Sequence, residues 1–375
     1  MTAPTAPERA PATPGPSAGS RVLEALRSVP QYTRTSRHLN SLLRHSTPRK
    51  LWNLLLVEAE YRLRRTVVHG RPYVLIVDPT NVCNLRCPLC PTGLGQGGRK
   101  GQMMPWETFT RAIDVLAPWA YEVNLYNWGE SILHPHIWDM IRYARSKNLA
   151  TCMSANLNDV SNGAIEGIVD SGLENLTLSI DGATQETYAR YRVRGKLDVV
   201  LENARALVEY KRKTGSRTPA IEWQFIVFRH NAHEAEAARR LAHEIGVDRF
   251  RMIPPGVPFE ATNHDELRKE WFVSTGGGEG GDYDEPVKTA CFYLYRSFTV
   301  NPDGGTAPCC IVSGEHNDFG RLLEQDFDQI WNNEKYRSAR AQFRHGGAVT
   351  TPTVCDRCDW FEKRTPPPQW PKQLP

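Results

Sequence analysis

Between residues 73 and 253, short apolar runs alternate with segments whose apolar residues recur every three or four positions. The runs predict strands over 73–78, 121–127, 149–154, 174–180, 221–228 and 248–253. The periodic segments predict helices over 105–117, 135–147, 159–171, 197–214 and 231–245. Strict alternation of this kind implies right-handed βαβ units and a parallel sheet, an α/β fold. Six strands are too few to close an eight-stranded barrel. In such sheets the chemistry sits at the carboxyl ends of the strands.

The flanks read differently. Residues 1–20 are Pro, Ala, Thr and Ser with almost no large apolar side chains, and are expected to be a disordered tail. Residues 21–72 form a basic extension with helical periodicity, clearest in Leu51, Leu54, Leu55 and Glu58 through Leu63. Residues 274–286 are Gly-rich and read as a linker, residues 287–363 as a second, cysteine-bearing domain, and residues 364–375 as a Pro-rich tail. The main domain is therefore 73–273.

Net charge is +4, but it is unevenly placed. Residues 21–71 carry eleven Lys/Arg against three Glu, while residues 72–375 sum to −4. The basic extension could meet an acidic membrane, a peptide or the chain's own α/β domain, and packing on that domain is the plainest of these. Nothing in the acidic remainder suggests a nucleic-acid footprint. No apolar run approaches the ~18 residues of a membrane span, and the N-terminus lacks a secretory pattern. The nine cysteines fit a reducing cytoplasm better than a disulfide framework.

Three of those cysteines lie in a fixed rhythm, Cys83-Asn-Leu-Arg-Cys87-Pro-Leu-Cys90, straight after the first strand. Three thiolates on one short loop can hold three corners of a cubane iron–sulfur cluster and leave the fourth iron open for chemistry. A structural zinc site is the competing reading, but it wants four ligands, and the next His downstream is His134.

This loop after Tyr73-Val-Leu-Ile-Val-Asp78 resembles that of the radical S-adenosylmethionine (radical SAM) superfamily. The resemblance implies a partial (β/α)6 TIM-like barrel, open on one side. It also implies a SAM-binding [4Fe–4S] cluster whose open iron is chelated by the amino and carboxylate groups of SAM. Reductive cleavage of SAM then yields a 5′-deoxyadenosyl radical that removes a substrate hydrogen. The position before the third Cys, often aromatic in that family, is Leu89 here.

Further segments extend the resemblance. Asn127-Trp128-Gly129-Glu130 closes the second strand and resembles the Gly-Gly-Glu motif that contacts the SAM amino group, with Gly129 and Glu130 as the matching residues. A close backbone approach favours Gly, and a carboxylate accepts hydrogen bonds from an ammonium group. Ser179 and Asp181, in Ser-Ile-Asp-Gly at the end of the fourth strand, resemble ribose contacts. A strand end leading into a turn explains the same residues without a ligand. Arg192 resembles the guanidinium that pairs with the SAM carboxylate, with Arg190 and Arg194 as neighbours able to compete.

The C-terminal domain holds Cys291, Cys309, Cys310, Cys355 and Cys358. The C-x12-G-x4-C spacing of Cys291, Gly304 and Cys309, followed by the Cys355/Cys358 pair, resembles a SPASM or shorter twitch domain. The implied ligands of one auxiliary [4Fe–4S] cluster are Cys291, Cys309, Cys355 and Cys358, with Cys310 as a surplus thiol. A zinc ribbon is the alternative. Cys152, in the third strand, reads as a buried small hydrophobe.

A second cluster beside the substrate could accept the electron left after hydrogen removal, which points to a dehydrogenase-type radical SAM oxidoreductase. The first expectation is a small-molecule substrate such as a sugar or aminocyclitol. A maturase acting on a ribosomally made peptide is the alternative, and a non-catalytic Fe–S or zinc protein the third reading. Reduction would come from a partner such as flavodoxin or ferredoxin. Arg251, His230 and Gln224, near the ends of the fifth and sixth strands, are candidates for a base.

Overall fold

The computed structural model describes residues 34–161, 163–273, 290–344 and 347–358. The expected tails at 1–20 and 364–375 and the linker at 274–286 lie outside the described residues. Two helices come first, α1 (Arg34–His45) and α2 (Pro48–Arg62). The core then runs β1 (Val74–Val77), α3 (Trp106–Leu116), β2 (Glu122–Leu125), α4 (Ile137–Ser146), β3 (Ala150–Ala155), α5 (Ala164–Asp170) and β4 (Asn175–Ser179). It continues with α6 (Gln185–Tyr191), α7 (Leu197–Lys213), β5 (Ala220–Ile226), α8 (Ala235–Ile245), β6 (Arg249–Ile253) and α9 (His264–Trp271). The C-terminal part holds α10 (Tyr293–Arg296), β7 (Ser297–Val300), β8 (Gly305–Ala307), β9 (Gly320–Arg321), α11 (Phe327–Trp331) and α12 (Glu334–Ala341).

All six expected core strands form, and β1 to β6 pair in order, each parallel to the next. Among the described residues β6 has no second neighbour, so the α/β barrel is unclosed. The helices bury one stripe against the sheet. Phe109, Ala112, Ile113 and Leu116 of α3, and Ile137, Met140, Ile141 and Ala144 of α4, are fully or almost fully buried at helical spacing. The expected 159–171 helix begins later, at Ala164, because Gly163 adopts a left-handed φ of 58° just before it.

The C-terminal cysteine region is not a detached appendage. Its strand β7 pairs in parallel with β1, Val74 opposite Ser297 and Val77 opposite Val300, and β8 and β9 extend the same sheet antiparallel. The physical reason is β1 itself: Leu75 and Val77 are fully buried, so an unpaired edge there would strand backbone groups away from water.

The N-terminal helices close the opposite end of the barrel, against the starts of the strands. Glu122, the first residue of β2, is buried and hydrogen-bonded to the His38 ring (2.8 Å), with Arg37 at 3.8 Å. Burial opposes its charge, yet these partners hold its carboxyl below the usual range. His45 bonds Glu174 and Asn148, and the buried Lys50 ammonium donates to the Asn148 carbonyl (2.6 Å). Several of the extension's basic residues are thus committed to the enzyme's own barrel. Cys152, in β3, is buried as expected. Among the described residues no helix is long and apolar enough to cross a membrane.

One side chain fastens the region after β1 to the C-terminal part. Arg99 binds both oxygens of Asp303 (2.7 and 3.0 Å), the Asp318 carboxylate and the Gly314 carbonyl (3.2 Å). Its side chain is only 5% exposed. We expect Arg99→Ala to destabilise the protein by about 3 kcal/mol, because it leaves two carboxylates beside an emptied site. Urea denaturation followed by tryptophan fluorescence checks this.

Candidate active site

The cysteine loop leaves the carboxyl end of β1 and is clamped at both ends. The Thr80 hydroxyl donates to the Gln102 carbonyl (2.9 Å) and accepts from Val82 N–H (3.0 Å). Asn81 accepts from Gln102 N–H (2.8 Å) and donates to the Lys100 carbonyl (3.0 Å). Inside the loop, Cys90 N–H donates to the Cys87 carbonyl (3.2 Å), and Leu85 N–H lies 3.4 Å from Cys83 Sγ. A methyl group at Gly93 would sit 2.4 Å from the Cys87 carbonyl oxygen, so only glycine allows this tight fold. Leu85, Leu89 and the three cysteines pack with Tyr191, Phe228 and Trp271.

Burial pushes the Cys83 thiol up to about 12, and nearby Glu130, Cys87 and Cys90 add to it. Burial likewise raises Cys87, opposed by the Arg192 guanidinium, whose Nη1 lies 3.9 Å from its sulfur. Unaided, these thiols stay protonated; a cationic group is what turns them into thiolates. Among the described residues no three Cys, His, Asp or Glu side chains clasp a single ion. A cubane does not ask for that, since each thiolate takes a different iron.

The second strand brings up the next pair. A methyl group on Gly129 would lie 1.8 Å from the Thr80 carbonyl oxygen, so the 127–130 segment rests directly on the start of the cysteine loop. Glu130 N–H donates to the Val82 carbonyl (2.9 Å). The Glu130 carboxylate is buried, accepts from Asn156 N–H (2.8 Å), and is pushed up to about 7 by that burial. Asp78, the residue after β1, is also fully buried and raised by burial to about 7, opposed by backbone N–H groups of Trp128, Gly129 and Asn127.

The third and fourth strands complete the wall. Ser154 and Ser179 share a hydroxyl hydrogen bond of 3.1 Å across neighbouring strands. Asn156 donates to Asn84 of the cysteine loop (2.9 Å). Asp181 is fully buried and has its oxygens committed, to Ile226 N–H (2.6 Å) and to Arg192 (2.6 Å). The carboxylate thereby holds Arg192 in place. Burial alone would lower the Arg192 pKa; Asp181 and Cys87 outweigh it and keep the guanidinium charged. Arg192 therefore bridges the cysteine loop and the fourth strand.

Of the expected site residues, Cys83, Cys87, Cys90, Gly129, Glu130, Ser179, Asp181 and Arg192 all gather at the carboxyl ends of β1, β2 and β4. The base candidates separate by chemistry. Arg251 is tied to Glu222 (2.6 Å) and Gln224 (2.7 Å), and neither guanidinium nor amide accepts a proton at neutral pH. His230 stacks on Phe228 and meets Trp271 edge-on, with burial lowering its pKa and Arg190 adding to the effect. Sequence reasoning missed Asp78, Thr80 and Arg99. The available signal for Asp78 was an acid ending an apolar strand.

The C-terminal cysteines also come together. Cys309 feels the charge of Cys310, Cys291 and Cys355, while Cys291 and Cys355 both feel Cys358. Burial pushes Cys291 up to about 11 and raises Cys309 and Cys355 further. Gly304 takes a φ of 80° in the turn between β7 and β8, which explains the glycine of the C-x12-G-x4-C spacing. A capping box between Thr353 and Asp356 shapes the turn holding Cys355. The Cys310 thiol donates to the Tyr293 hydroxyl (3.4 Å). With its amide oriented to suit both neighbours, Asn127 donates to the Cys310 carbonyl (3.0 Å) and accepts from Trp128 Nε1 (3.0 Å). The end of β2 thus touches both the start of the cysteine loop and the backbone of Cys310.

A parallel, open α/β barrel with three thiols on the loop after β1 and a second thiol group on an extended edge defines a cluster-bearing, SAM-dependent enzyme. Comparison with known proteins agrees: the radical SAM superfamily profile matches residues 77–222, and an iron–sulfur cluster-binding domain, SPASM, matches residues 291–359. The chain belongs to the radical SAM superfamily and carries a C-terminal SPASM domain.

The PqqA peptide cyclase of Ruegeria pomeroyi is 23% identical over 77% of this chain and 80% of its own length. An AdoMet-dependent heme synthase of Methanosarcina barkeri is 24% identical over 72% and 85%. The mycofactocin maturase MftC of Mycobacterium tuberculosis is 24% identical over 76% and 77%. Among solved structures, Streptococcus suis SuiB bound to S-adenosylmethionine superposes with a TM-score of 0.56 at 15% identity, covering 91% of this chain and 80% of that one. The anSMEcpe enzyme with bound AdoMet gives 0.53 at 16% identity over 78% and 84%. These likenesses establish the fold.

The cofactors are a SAM-binding [4Fe–4S] cluster, SAM and auxiliary iron–sulfur chemistry in the SPASM domain. The residues present fit them. Cys83 and Cys87 are thiols that burial keeps protonated until a cation arrives, Glu130 is a buried carboxyl raised in the same way, and the backbone approach at Gly129 is one that a side chain would block.

We expect Gly129→Ala to cut SAM binding at least tenfold by lifting Glu130 off the loop, as measured by equilibrium dialysis on reconstituted protein. Glu130 also carries a pH signature. Its carboxyl sits near 4.5 in a free chain and about 7 when folded without cofactors, so the folded cluster-free protein holds the extra proton between those values. Stability should therefore fall as pH rises from about 4.5 to about 7. Glu130→Gln should gain up to about 3 kcal/mol on wild type between pH 5 and pH 8 by denaturant titration; equal gaps at both pH values would refute the assignment.

Proposed function

We propose that this radical SAM enzyme oxidises a peptide substrate, as a maturase, with its auxiliary cluster taking the second electron. The observation that carries the substrate class is similarity over 77% of the chain to an enzyme named for its peptide, the PqqA peptide cyclase, with a second relative over 76% of the chain named as a maturase. The fold is also that of SuiB, a structure of which is bound to precursor peptide SuiA. The outer edge of β6, unpaired among the described residues and half-buried along its whole length, supports this reading by leaving room for an extended chain beside the site.

In this reading Cys83, Cys87 and Cys90 hold the SAM-binding cluster, and Cys291, Cys309, Cys355 and Cys358 hold the auxiliary one. Together, when bound, these groups and SAM supply removal of one substrate hydrogen atom to 5′-deoxyadenosine and acceptance of the remaining electron. Glu130 and the backbone at Gly129 receive the SAM amino group. Arg192, held by Asp181, would pair with the SAM carboxylate, and Ser179 would meet the ribose. His230 is the candidate to take the substrate proton, being the one of the three base candidates able to accept it. A small reductant protein such as flavodoxin or ferredoxin supplies the first electron.

Oxidation of a sugar or aminocyclitol keeps one observation in its favour. Residues 34–72 form two helices and, among the described residues, no strand, unlike a leader-binding module of three strands and a winged helix.

Anaerobic reconstitution tests the chemistry. Wild type should bind about eight irons and form 5′-deoxyadenosine under reduction; the Cys83/Cys87/Cys90→Ala triple variant should bind about four and form none. Substrate class is read by stimulation of 5′-deoxyadenosine release. A short peptide encoded beside the gene should stimulate it and lose the mass of two hydrogens. Stimulation only by sugars or aminocyclitols would replace the peptide reading with the small-molecule one.

A further inference from the structure

The N-terminal helices spend one face on the barrel and leave another bare. On α2, Leu51, Trp52 and Leu55 are exposed, and Leu63 caps the same helix exposed. Pro48, Trp52, Leu55, Ala59 and Arg62 follow i, i+4, i+7, i+11, i+14 spacing, a single stripe. Leu39 and Leu43 make a shorter i, i+4 stripe on α1. Trp52 is 69% exposed and Leu43 66%, unusual for large apolar side chains. Exposed arginines border these residues: Arg44, Arg49, Arg62 and Arg65.

We propose that this face docks the enzyme on an anionic lipid surface. Charge argues for the occupant. The described residues 34–71 carry nine Lys/Arg against two Glu, a net +7, so the segment with the exposed leucines and tryptophan is strongly basic. Apolar insertion beside an arginine rim is the chemistry of interfacial helices, and Trp favours the headgroup boundary. A second copy fits worse, because a two-fold pairing of this face sets arginines against arginines.

Position argues the same way. Contacts of α1 and α2 with Glu122, Asn148 and Glu174 put them at the amino ends of the strands, the end opposite the cysteine loop. A bilayer bound there leaves the mouth of the site clear. A substrate leader bound there would lie a full strand length, roughly 15 Å, from the chemistry.

The test is co-sedimentation of the full-length reconstituted enzyme with phosphatidylcholine vesicles, with and without phosphatidylglycerol. Binding to the anionic vesicles alone, weakened by salt, is expected. Trp52→Ser/Leu55→Ser should reduce it roughly tenfold or more while leaving iron content, 5′-deoxyadenosine formation and solution mass unchanged. Arg44→Glu/Arg65→Glu, which leaves the leucines and tryptophan intact, should reduce it as well. No sedimentation of wild type, or sedimentation unaffected by both variants, overturns the proposal. So does a dimer that Trp52→Ser/Leu55→Ser dissolves, which assigns the face to a second copy. Equal affinity for soluble polyglutamate would assign it to an acidic peptide instead.

Discussion

Pairing of β1 on both edges is the constraint on which the rest of the molecule depends. One edge is taken by β2 and the other by β7, so the strand that launches the cysteine loop is fixed by the barrel and by the SPASM region at once. Thr80 and Asn81 clamp the loop to residues 100–102 just beyond that strand. Arg99 then carries the clamp across to Asp303 and Asp318, and Asn127 reaches the Cys310 backbone from the end of β2. Two thiol groups far apart in sequence are thereby set in one rigid frame. The proposed electron transfer from a substrate to a second cluster would need a fixed separation, and a continuous sheet supplies it better than a flexible linker would.

The electrostatics of the site make sense only together with what it binds. Asp78, Glu130 and Asp181 are buried carboxyl groups at or beside the strand ends, and burial raises all three. The half-buried Cys83 and buried Cys87 are thiols raised in the same way. Against these acids stand the Arg192 guanidinium, facing Asp181 and Cys87, and that of Arg99, which acts on Asp78. Such a cavity disfavours anions until cations arrive. Iron and the positively charged sulfonium and ammonium of SAM are suitable cations. The desolvation cost is met when the protein folds, so the bound state gains the full attraction.

Much of this was legible in the sequence, for identifiable reasons. Parallel strands buried on both faces are written as apolar runs such as Val74 to Val77, and helices such as α3 and α4 as clean stripes. The cysteine loop is a local motif, and its three residues stay neighbours whatever the rest of the chain does. Long-range partnerships were not legible. The Ser297–Val300 run carries no mark saying that it pairs with β1, which lies more than two hundred residues earlier. The role of Asp181 was invisible for a similar reason. Its partners Arg192 and Ile226 lie at a helix end and on another strand, so its grip on Arg192 has no local sequence mark.

Substrate class was the hardest property to read, and the architecture explains why. Initiation chemistry rests on short motifs at the ends of β1, β2 and β4, whose geometry is dictated by close approaches such as Gly129 on Thr80. In the proposed reading, substrate choice rests on what lines the open side near β6 and on what the SPASM loops add around Cys310. Those surfaces are assembled from separate segments, none with a spacing of its own. A helical N-terminus committed to the barrel floor removes one signal, since Arg37, His38 and Lys50 are occupied by Glu122 and Asn148 and are not free to hold a substrate. The same sequence therefore specifies how a hydrogen is removed far more tightly than it specifies from what.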